Sequence, residues 1–121
     1  MTALPPDAVV ESDEDGDLSV VTPRFLLAAD HACFRRLGWR CALRGEGIDA
    51  HRIARNLVAR GYGDVTRSPL LLELQHPARH RLLVVPRSAR VVIRIDVETP
   101  LPERLAAAVA VAEDVAAASG P

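Results

Sequence analysis

The chain has 121 residues, 49% of them hydrophobic, and a formal charge of −1. This excludes a globally disordered polymer and fits one domain able to bury a core without disulfides or metals. Apolar runs fall short of the roughly 18–20 residues that cross a bilayer, and the first residues offer neither a basic nor an apolar signal region. The expected setting is therefore the cytoplasm, with Cys33 and Cys41 as reduced thiols.

Charge is segregated along the chain. Residues 1–22 hold six acids (Asp7, Glu11, Asp13, Glu14, Asp15, Asp17) and no base, whereas residues 24–94 hold fourteen arginines against five acids. Residues 95–121 return to five acids and the single Arg104. Lysine is absent, as in a bacterial-like, GC-rich coding composition. The same arginines suit phosphate or carboxylate recognition, because the planar guanidinium matches both.

In chain order, residues 1–7 read as a flexible tail and residues 8–121 as one α+β domain. Ala8–Glu11 and Leu18–Val21 flank an acidic segment with Asp15-Gly16, a hairpin signal; the same stretch, 8–21, also reads as an acidic arm. Thr22-Pro23 is an N-cap followed by an N1 proline. Leu26, Ala29, Cys33 and Leu37 then share one face of an expected helix over 24–37, stopped at Gly38. Trp39 to Arg44 alternates as a half-buried strand, with Trp39, Cys41 and Leu43 on one side and Arg40, Ala42 and Arg44 on the other.

After Gly45-Glu46-Gly47, Asp49 caps a helix through Arg60, with Ile48 and Ile53 at the positions of a hydrophobic staple and Gly61 as the stop. Leu70–Gln75, Arg81–Val85 and Arg90–Val97 are three β-rich runs joined by Pro-containing breaks, a meander. Thr99-Pro100 starts a last helix that runs to about Ala118. The expected order is ββ-α-β-α-βββ-α, a mostly antiparallel sheet with helices packed on one face. In element order alone, residues 48–118 resemble type III secretion chaperones and, more broadly, TATA-binding-protein-like halves. The likeness implies a fold and carries no motif.

With one sheet face under the helices, the opposite face carries Leu71, Leu83, Val85 and Val92 among Glu73, Arg81, Arg90, Arg94 and Asp96. Aliphatics ringed by arginine are the usual anatomy of a protein interface. Leu71, Leu83, Val85, Val92, Arg81, Arg90 and Arg94 are the candidate interface residues. The alternative is a nucleic-acid surface of Arg40, Arg44, Arg81, Arg90 and Arg94, with the acidic amino-terminal segment as an internal competitor. The scarcity of aromatics for base stacking weighs against that alternative.

Other constellations are weaker. His31, Cys33, Cys41 and His51 are enough ligands for zinc but lack its paired spacing. His76 and His80 fall on a turn, expected to be solvated. Glu11 to Thr22 imitates the start of a calcium loop without its final bidentate glutamate. No nucleophile, P-loop or dinucleotide motif occurs. The sequence thus reads as a non-catalytic interaction module without cofactor or metal, an adaptor or chaperone-like domain. It is expected to be homodimeric through a sheet face or edge, with a protein partner or itself and no membrane.

Overall fold

The computed structural model describes residues 4–14, 16–30, 36–88 and 90–120. Among these residues eight strands and two α-helices follow one another as β1 (Val9–Ser12), β2 (Leu18–Val21), β3 (Phe25–Ala29), β4 (Gly38–Leu43), α1 (Ala50–Ala59), β5 (Gly63–Asp64), β6 (Leu72–Gln75), β7 (Arg81–Val85), β8 (Arg90–Arg94) and α2 (Arg104–Ala118). The strands form one open sheet in the order β1-β2-β3-β4-β8-β7-β6-β5, every neighbouring pair antiparallel. This is a mostly antiparallel α+β fold.

The expected helix over 24–37 is corrected by the structure. Phe25–Ala29 is a strand, paired on one side with β2 (Val21↔Leu26) and on the other with β4 (Leu27↔Cys41). Thr22 does not cap a helix. Its Oγ1 accepts the N–H groups of Arg24 and Phe25, both at 3.1 Å, and its own N–H donates to the Phe25 carbonyl at 2.9 Å. Thr22-Pro23-Arg24-Phe25 is therefore the turn of a β-hairpin. Threonine before proline suits a turn as well as a helix start. Phe25, Leu27 and Ala29 are buried while Leu26 between them is exposed, a period of two. Residues 31–35, which include His31, Cys33 and Phe34, lie outside the described residues.

The amino-terminal stretch 8–21 is a hairpin, not an arm. Val9 faces Val21 and Ser12 faces Leu18 across β1 and β2. Its turn is closed by Asp13, whose Oδ1 accepts the Asp17 N–H at 2.9 Å, and by Gly16 at φ 81°, a left-handed backbone that glycine adopts without steric cost.

Along every long strand the buried side chains share one parity. Val20, Leu27, Cys41, Val91, Val84 and Leu72 are register partners in a single buried row, with Trp39, Ile93 and Leu82 in the next. Ala50, Ile53 and Leu57 of α1 and Ala108, Val109, Val111, Ala112, Val115 and Ala118 of α2 belong to the same cluster. Six buried alanines and valines let α2 approach the sheet closely, since small side chains shorten the helix-to-sheet distance. Asp49 caps α1 as its position suggests, its Oδ1 accepting the His51 N–H at 2.9 Å. Gly61 at φ 106° ends α1, with the Tyr62 N–H returning to the Leu57 carbonyl at 3.0 Å. α2 begins after a 3-10 turn at Leu101–Glu103, and buried Arg104 donates from Nε and Nη2 to the carbonyls of Thr99 and Val97 at 2.8 and 2.9 Å.

Candidate functional site

The face of the sheet away from the helices is the place where apolar and charged side chains meet without cover among the described residues. Register partners lie on the same face of an antiparallel pair, so its composition follows from the pairing. One row reads Glu11, Ser19, Ala28, Arg40, Val92, Leu83 and Glu73 from β1 to β6. A second reads Val9, Val21, Leu26 and Ala42 from β1 to β4; Val85, paired with Arg90, has the same parity on the far side of β4. A third carries Gly38, Arg94, Arg81 and Gln75.

The structure brings together Leu83, Val85, Val92, Arg81, Arg90 and Arg94 on this face. Leu83, Val85 and Val92 are half-buried, as neighbours in a sheet shield one another, while Arg90 and Arg94 are exposed. Arg81 is tied to Glu73, Nη1 to Oε2 at 3.2 Å. Arg40 stands on the same face and is exposed. Leu71 precedes β6, in an isolated bridge with Ser68, and so lies at the margin instead of in the sheet rows. Arg44 follows the end of β4, its N–H donating to the Arg24 carbonyl at 3.0 Å. Asp96 follows β8, its N–H held by His80.

Three aliphatics of this face escaped the sequence reading: Val9, Val21 and Leu26. Val9 and Leu26 are 55% and 39% exposed. Leu26 was hidden because the sequence over 24–37 satisfies a helical stripe, and Phe25–Ala29, apolar at every position, carries no alternation that would mark its outer face. Beside Leu26, the short side chains of Ala28 and Ala42 leave an open depression of about 410 Å³ whose walls include Arg40 and Arg90. Removing such aliphatics from water contributes on the order of 1.5–3 kcal/mol per fully buried side chain.

The edges of the sheet differ. Beyond the short β5, the backbone of Glu73 is covered: its N–H donates to Thr66 Oγ1 at 3.0 Å and its carbonyl accepts the Val65 N–H at 2.9 Å. The opposite edge, β1, is exposed along its length and carries Glu11.

A second cluster of titratable groups lies on the helix side, at the β6–β7 turn. His80 is buried, and its Nδ1 accepts the Asp96 N–H at 3.0 Å; His76 Nδ1 accepts the Ala78 N–H at 2.9 Å. The two rings lie 5.1 Å apart, and His76 meets Tyr62 edge-on at 5.1 Å. The expectation of a solvated turn is thus corrected in part: Pro77, Ala78 and Arg79 are exposed, but His80 is buried and bound to Asp96, and His76 is half-buried against Tyr62. Among the described residues no group of three or more His, Cys, Asp or Glu side chains is placed to hold a metal ion. No helix among them is long and apolar enough to cross a membrane. Cys41 is a free thiol in the core, its pKa pushed up to about 12 by burial.

Compared with known proteins, the chain matches no family model, no curated protein and no solved structure.

Proposed function

We propose that this chain is a non-catalytic protein-interaction module, a small adaptor or chaperone-like domain of the cytoplasm. It docks through the outer face of its sheet and is homodimeric. The observation that supports this reading is the apolar patch of exposed Leu26 and Ala42 with half-buried Ala28 and Val92, bordered by the exposed Arg40, Arg90 and Arg94. An apolar centre with an arginine rim is the composition that interfaces favour. Of the two routes to a dimer, face and edge, the face is preferred. Charge on an edge strand opposes strand addition, and β1 with its hairpin carries Glu11, Asp13 and Glu14.

The test is mass in solution by light scattering, with absorbance followed at the protein and nucleic-acid maxima. A dimer free of nucleic acid, converted to a folded monomer by Leu83→Asp or Val92→Asp, supports the reading. A dimer indifferent to both substitutions defeats it.

The gathering of Arg40, Arg81, Arg90 and Arg94 on one face favours a second reading, a nucleic-acid-binding surface. It requires binding that collapses with salt, with a slope set by the phosphates neutralised, and that strengthens when residues 1–17 are removed.

A further inference from the structure

Between β1 and β8 the charge on the outer face changes from acidic to basic; beyond β8 its central row ends at Glu73, which is paired with Arg81. Along that row the order is Glu11 on β1, Ser19 on β2, Ala28 on β3, Arg40 on β4 and Val92 on β8. Arg90 and Arg94 flank Val92 two residues to either side, on the same face. β1 lies two strands from β3 in one direction, and β8 lies two strands from it in the other. We propose that a second copy of this chain covers the face about a two-fold axis running along β3, so that the acidic β1 of each copy lies over the basic β8 of the other. The inference rests on the reading of this face as the homodimer surface and adds the axis and orientation of the second copy.

The axis follows from charge. Rotation about β3 lays β3 over the partner's β3, β2 over its β4 and β1 over its β8. Ser19 then faces the partner's Arg40, and Glu11 faces the partner's Val92 between the partner's Arg90 and the partner's Arg94. Two-fold symmetry makes this acid–base contact twice. An axis along β4 would stack Arg40 on its own copy, and an axis along β8 would do the same to Arg90 and Arg94. Like charges brought together at an interface are strongly unfavourable.

Shape agrees with charge. Leu26, an exposed aliphatic of the outer face, lies on β3 and therefore close to the axis, against the partner's Leu26. Ala28 and Ala42 beside it are short enough to admit the opposing side chains into the depression. A rotation preserves the right-handed twist of a sheet, so two copies related in this way keep matching faces.

A charge-swap cycle followed by sedimentation or light scattering decides the matter. Leu26→Asp is expected to give a folded monomer, its fold checked by circular dichroism. Glu11→Arg alone and Arg90→Glu/Arg94→Glu alone are each expected to weaken self-association at least about tenfold, since each places like charges at both symmetric contacts. Mixing the two variant chains is expected to restore a dimer of near wild-type affinity, because both contacts of the mixed pair are complementary.

A wild-type chain that stays monomeric at high concentration overturns the second copy as occupant. A monomeric Leu26→Asp with charge variants that dimerise normally overturns the orientation while leaving the face as the interaction surface. A dimer unaffected by Leu26→Asp overturns both.

Discussion

The Tyr62 hydroxyl donates to Asp114 Oδ2 at 2.7 Å, fastening the segment after α1 to the middle of α2. Burial, then the hydrogen bond to Asp114, hold the phenol protonated far above its ordinary range. Tyr62→Phe keeps the ring against His76 and removes only this bond. The expected loss is about 1–2 kcal/mol of unfolding free energy, the worth of a hydrogen bond to a charged acceptor that can rehydrate. Denaturant titration at neutral pH measures it, and an unchanged midpoint would show that the bond contributes nothing.

The histidine pair makes stability depend on pH. A neutral His80 whose Nδ1 accepts the Asp96 N–H cannot take a proton there without losing that bond, and the same holds for His76 and Ala78. Burial lowers the pKa of both from the ordinary 6.5, His76 adds to the lowering at His80, and Asp114 and Asp96 oppose it at His76 and His80 respectively. With folded values depressed, the unfolded chain binds these protons more readily. Stability is therefore full above pH 6.5 and declines as pH falls below it, raising the unfolding constant by up to about tenfold per pH unit for each histidine. His80→Asn offers an acceptor that does not titrate in this range, and is expected to flatten the decline between pH 7 and 5.5. Equal slopes in wild type and variant would refute the assignment.

Thr22 is a test of the hairpin that replaces the expected helix. Its side chain is buried, and its Oγ1 is the acceptor for two backbone N–H groups. Thr22→Val preserves shape and leaves both donors without that partner, an expected cost of about 1–3 kcal/mol. Thr22→Ser retains the hydroxyl and is expected to recover most of it. If the valine variant is as stable as the serine variant, the turn does not depend on this hydroxyl.

Cys41 reports on the core. The thiolate is the reactive form, and a buried thiol with its pKa near 12 supplies almost none of it at pH 8. In a Cys33→Ser background, modification of Cys41 by a thiol reagent is expected only as fast as the domain opens, and at full rate in denaturant. Rapid modification of the native chain would place Cys41 at an accessible surface.

Leu27→Ala examines the paired position of β3 from the helix side. Leu27 is fully buried between Val20 and Cys41 in register. Truncation is expected to cost about 2–5 kcal/mol through lost burial and the cavity left behind. Leu26→Ala, one residue away on the outer face, is expected to change stability of the monomer little. A reversed order of the two effects would contradict the strand parity.

Local chemistry was enough to place α1 and the meander. Asp49, Ile53 and Gly61 are a cap, a buried stripe and a stop that act within a dozen residues; β7 and β8 are apolar, β-branched runs, and Leu72-Glu73-Leu74-Gln75 of β6 alternates apolar with polar. The same locality located Arg81, Arg90 and Arg94 beside Leu83 and Val92 on one face. Where the sequence misled was the region from Arg24 to Leu37, read as a helix from its stripe although Phe25–Ala29, apolar at every position, suits a helix and a strand equally. Only tertiary pairing distinguishes them, because β3 satisfies its backbone with β2 on one side and β4 on the other, partners distant from any helical register. That choice lengthens the sheet by three strands instead of covering it. It exposes Leu26, and it sets the acidic β1 at one end of the same face whose arginines lie on β4, β8 and β7. The burial of His80 was likewise undecidable from the turn itself, since Asp96, which holds it, lies sixteen residues further along the chain, and Tyr62, which packs on the neighbouring His76, comes from the segment after α1. Side chains that depend on neighbours close in sequence are legible from it, whereas those that depend on which strand lies alongside are settled by the assembled sheet.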